Sequence, residues 1–163
     1  MNDAIRHRSR SSACRAAGVA ALLGVMLGLA PAMASAVLIV HVPWVLPAAK
    51  GGATDAFMEV TSLDGASLVG GRSAVARDTV LVAPGAKLQP VDRLPLPPGA
   101  PVILVPGSYR LHLDAVDRAL TIGAWVPLVL IFEAADGTRQ EISVQAEVRR
   151  RSATDDHLRG HRR

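Results

Sequence analysis

The sequence predicts an all-β domain, a single antiparallel β-sandwich or barrel, on three observations. From Val37 to Val148 apolar residues recur at every second position, the period that sends alternate side chains to opposite faces of a strand. Turn chemistry breaks these runs at intervals of roughly ten residues: Asp64-Gly65, Gly70-Gly71, Pro84-Gly85, Pro97-Pro98-Gly99, Pro106-Gly107 and Asp136-Gly137. Helical periodicity is confined to one candidate turn, Asp114 to Leu120, read as a brief connection.

Residues 1–36 read as a secretory signal and not as part of the fold. Arg6, Arg8, Arg10 and Arg15 form a basic n-region, and Val19 to Ala30 an apolar h-region. Ala32-Met33-Ala34 and Ala34-Ser35-Ala36 are A-x-A cleavage sites. The alternative is an uncleaved N-terminal anchor, because no charge occurs between Gly18 and Val40. Cys14 precedes the h-region, so it is not placed as a lipobox cysteine. With the leader removed the chain has no cysteine, which excludes disulfides and thiolate metal sites.

The strands of residues 37–148 follow in order. Val37 to Val45 is an extended segment carrying Trp44, and Asp55 to Gly65 a strand ending in a turn. Lys87 to Leu113 combines a proline-rich turn, the short run Val102 to Val105, a Pro-Gly turn and an alternating strand. In that strand Tyr109, Leu111 and Leu113 face one way, and Arg110 and His112 the other. Val126 to Phe132 is almost unbroken apolar sequence, the pattern of a strand buried on both faces. Ile142, Val144, Ala146 and Val148 alternate with Ser143, Gln145 and Glu147. Met58, flanked by Phe57, reads as core.

Residues 149–163 form an arginine-rich tail with almost nothing apolar to bury, read as disordered. The net charge of +4 belongs to the two ends. Between Val37 and Val148 eight Lys and Arg stand against eleven Asp and Glu, so a nucleic-acid surface on the domain is not expected. An enzyme is not expected either: no Gly-x-Ser-x-Gly elbow, His-Glu-x-x-His or phosphate-binding glycine loop occurs, and Asp114 and Asp117 lack a nucleophilic or basic partner.

The order and spacing of VLIVHVPWV, DAFMEVTSLDG, KLQPVDRLPLPPGAPVILVPGSYRLHL and GAWVPLVLIFEAADG resemble the periplasmic copper chaperones of the PCuAC family. The resemblance covers residues 37–148 and implies a cupredoxin-like, immunoglobulin-like fold in the periplasm. It also implies copper as cargo and proteins of respiratory oxidase copper-centre assembly as partners. Family members hold Cu(I) through a His, a Met eleven residues later, and a His-x-Met pair beginning twenty-two residues after that. Laid on this chain, the spacing puts those positions at Arg77, Leu88, Arg110 and His112.

Those residue types depart from the family. Leucine has no lone pair to donate, and arginine stays protonated. A cation about 4 Å from Cu(I) costs on the order of 4 kcal/mol at an effective dielectric near 20. Arg77 and Arg110 read as solvated strand arginines, paired to Asp78 or Asp114, or else as a surface that grips an acidic partner through guanidinium forks. His112 remains a weak metal candidate, with His41 beside it if the first strand passes nearby. His157 and His161, four apart in the tail, could clip a borderline divalent metal. Two readings follow: a copper-handling relative with a rebuilt site, or a metal-free exported interaction module. The module would use the arginine face, or the basic tail against an acidic protein or anionic membrane surface.

Overall fold

A computed structural model describes residues 36–150. Nine strands run in chain order: β1 (Leu38–Val45), β2 (Thr54–Ser62), β3 (Ala66–Ser73), β4 (Ala76–Val82), β5 (Leu94–Leu96), β6 (Pro101–Leu104), β7 (Arg110–Val116), β8 (Trp125–Ala134) and β9 (Arg139–Val148). Among the described residues there is no helix. The expected all-β class is what the chain adopts.

The strands form one continuous sheet, ordered β4-β7-β2-β1-β9-β8-β3-β5, with β6 paired to β2. Its connections show why the sheet curls. Ala74 and Val75 alone link β3 to β4, which lie near opposite ends of the order. Laid flat, six strand spacings would separate them by about 29 Å, while the chain from Ser73 to Ala76 reaches about 11 Å at most. The sheet therefore rolls into a half-barrel. Gly71 marks a close approach: a Cβ there would stand 3.3 Å from Leu111 Cδ1 across the interior and 3.2 Å from the Val129 carbonyl oxygen of the neighbouring strand. The core fills the concave face, with Met58, Leu68, Leu104, Leu111, Leu113, Leu130 and Phe132 buried.

All strand pairings are antiparallel except one. The first strand pairs with the last in parallel, Trp44 opposite Glu147 and Val45 opposite Val148. A bulge lies between His41 and Trp44 of β1, and Val42 within it takes a φ of 44°. The extra residue exchanges the strand's faces. Val40 stands opposite core Val60 before the bulge, and Val45 opposite core Ala56 after it. Trp44 is thereby turned to the convex face, where its ring lies 4.5 Å from that of Phe57.

Three details differ from the sequence reading. Gly70 and Gly71 do not make a turn; they lie inside β3, where a register shift against β8 between Leu68 and Gly70 uses the freedom of Gly70. Asp114 to Leu120 is not helical: β7 continues through Val116, because β4 and the backbone at Gly51 and Gly52 satisfy its hydrogen bonds. Val126 to Phe132 is buried on alternate residues and not on both faces, since nothing among the described residues covers the convex side of β8 completely.

Candidate functional site

The convex face of β4, β7 and β2 carries the polar residues of the Arg110-Leu111-His112 strand. Alternation puts Leu111 and Leu113 into the core and turns Arg110 and His112 outward. Register then chooses their neighbours. His112 stands opposite Val80 on β4 and Asp55 on β2, and Arg110 stands opposite Val82.

Asp55 is the hinge of this group. Its Oδ1 lies 2.8 Å from His112 Nδ1, and its Oδ2 3.5 Å from Arg110 Nε. Arg110 also donates from Nη1 to the Ala83 carbonyl oxygen at 3.2 Å, so one guanidinium ties β7 to β2 and to the end of β4. Arg110 is only 8% exposed, a degree of burial that a cation tolerates only when paired and hydrogen-bonded. A carboxylate accepts and does not donate, so the Nδ1–H of His112 points at Asp55, which leaves Nε2 as the ring nitrogen not engaged by Asp55. The His112 side chain is 15% exposed, which leaves that nitrogen a narrow approach.

The other residues of interest are dispersed. Arg77 lies farther along β4 and is bound through Nη2 to Asp114 Oδ2 at 2.6 Å, one of the pairings expected for it. It does not share a partner with Arg110. Leu88 is exposed on the loop after β4. His41 is an exposed β1 residue opposite Glu59, while His112 is opposite Asp55 farther along the same strand. His157 and His161 lie outside the described residues. Arg110 is the correction: it is not a solvated strand arginine but a buried one, because Asp55 and Ala83 replace its water. Asp55 itself gave no sequence signal beyond being one of eleven domain acids. Only register singles it out.

A set of ligands for one metal ion has to converge, and among the described residues these do not. The residues that register brings beside Arg110 and His112 are Val80, Val82 and Asp55, of which the valines have no donor atom. Among the described residues no group of three His, Cys, Asp or Glu side chains is placed to hold a metal. Cu(I) favours thioether and imidazole, whereas the donor that register brings beside His112 is a carboxylate already engaged by a guanidinium. A separate cleft of about 430 Å³ opens along the β3–β4 seam, with Arg93 and Arg139 both bonded to Glu133 on its wall. Asp92 also lines it, so its charges balance internally.

Residues 38–148 match the LpqE-like family model. No curated protein matches the chain. Several solved structures share its fold. The apo PCuAC domain from PmoF1 aligns at a TM-score of 0.59 and 22% identity, over 69% of this chain and 92% of that one. The copper-bound PCuAC domain from PmoF2 aligns at 0.56 and 23%, over 68% and 91%. The solution structure of CuI-DR1885 from Deinococcus radiodurans aligns at 0.52 and 25%, over 72% and 82%.

Proposed function

Because the chain belongs to the LpqE-like family and has the PCuAC fold, we propose that it is an exported, non-enzymatic binding module in which the copper position has become a closed ion-pair network. The burial of Arg110 against Asp55 carries this reading. A guanidinium cannot donate an electron pair, and it occupies the carboxylate that lies nearest His112. The module then works by holding a partner, with Arg77 the part of the arginine face that remains open to solvent.

A second reading rests on His112. Metal-ligating histidines commonly donate their other ring N–H to a carboxylate, as His112 does to Asp55. On that reading His112 Nε2 takes Cu(I) with help from a histidine outside the described residues. By resemblance the cargo would pass to respiratory oxidase copper-centre assembly in the periplasm.

A Cu(I) competition titration against a chromogenic chelator separates the two. The module reading expects no competition by the protein and no change in His112→Ala. It also expects a measurable gain when the family pair is restored by Arg110→His with His112→Met. Stoichiometric binding by the unaltered protein, lost in His112→Ala, overturns it in favour of the second reading.

A further inference from the structure

We propose that one rim of the half-barrel docks on an anionic lipid surface, with Trp125 and Ile122 as the inserting residues. Backbone hydrogen bonds gather this rim from three parts of the chain. Ala48 pairs with Leu120, Gly51 and Gly52 with Val116, and Gly123 and Ala124 with Val148, while the Arg149 N–H donates to Val45. This rim carries Ile122 at 58% exposure and Trp125, the first residue of β8, at 55%. A tryptophan is seldom left so open in a soluble domain, and its amphipathic ring suits the headgroup level of a bilayer.

Charge on the same rim complements an acidic headgroup layer. Lys50, Arg118, Arg149 and Arg150 lie on these segments, against Asp117 and Glu147. Arg149 is neutralised by Glu147, whereas Lys50, Arg118 and Arg150 make no ion pair among the described residues. The domain from Val37 to Val148 is otherwise net acidic, so this is a local reversal of sign. Stable attachment to a membrane takes two weak signals together, an apolar insertion and a basic cluster, and both meet on this rim.

The test uses the exported form of the full chain, as recovered after secretion, with vesicles of phosphatidylcholine alone or doped with phosphatidylglycerol. Trp44 is buried, so a vesicle-induced change in tryptophan emission reports Trp125. Trp125→Phe supplies the subtraction without disturbing the core. The expected result is a blue shift of Trp125, quenched by brominated lipid, on anionic vesicles only. Arg118→Gln and Arg150→Gln should each weaken partitioning by about fivefold. A leader retained in the membrane would bring the protein to both vesicle types, yet Trp125 would still distinguish them. Emission of Trp125 unchanged by anionic vesicles, or changed equally by neutral ones, overturns the proposal. So does a shift produced only by an acidic protein.

Discussion

At the residue scale, Asp55 and Arg110 are the side chains whose loss should be felt most outside the core. Removing one member of a buried pair strands the other, at a cost of about 3 kcal/mol, moderated here because Asp55 is partly open to water. Asp55→Asn and Arg110→Met should each lower urea stability by roughly 2–3 kcal/mol, and the double variant should lose clearly less than their sum. Additivity within about 0.5 kcal/mol would show that the two do not act as a pair. Val42 offers a gain. A β-branched residue at positive φ carries strain of roughly 1–3 kcal/mol, and this one is exposed, so Val42→Gly should raise the urea midpoint. The outward orientation of Arg110 and His112 was legible from alternation alone. The identity of their partner was not, because alternation assigns a face and says nothing of which strand lies alongside. Spacing placed Arg77 at the first family position; in the β4–β7 register the residues opposite His112 and Arg110 are Val80 and Val82.

At the scale of elements, β3 shows how a local weakness serves the fold. Gly71 sits where a Cβ would press on Leu111 and on the Val129 carbonyl of the paired strand, which has little room to give, so Gly71→Ala should destabilise by about 1–3 kcal/mol in thermal or urea unfolding. The glycine pair looked like a turn in the sequence, since glycine marks both turns and close backbone approaches. β3 is also clipped to β9 across β8, Arg72 donating to both carboxylate oxygens of Glu141 at 2.6 and 2.5 Å. That hydrogen bond, with the attraction of the guanidinium, holds the Glu141 carboxyl below its ordinary value of 4.5. A depressed folded-state value contributes stability above the unfolded value that is lost as pH falls through the folded one. Stability should thus decline below about pH 4.5, and Arg72→Gln should flatten that decline in a pH series of unfolding midpoints. Strand existence was legible almost throughout. The helical turn at Asp114 was misjudged because β4 and the loop after β1 supply hydrogen-bond partners that no local pattern records.

At the scale of the whole molecule, protection should follow position in the curled sheet. β2 is flanked by β1, β6 and β7, whereas β4 ends the order with one strand neighbour. Amide exchange should therefore show β2 opening only with global unfolding and outward-facing β4 amides exchanging sooner; equal protection of the two would contradict this topology. The parallel pairing of β1 with β9 has a consequence in time. For a chain delivered N-terminus first, one edge of the opening strand has no partner until Glu147 and Val148 arrive. Nearly the whole domain must emerge before that seam can zip, and contacts so distant along the chain form slowly, in roughly milliseconds to seconds. The nascent protein stays threadable until it is almost finished, and a product cut short before its last strand never closes at all.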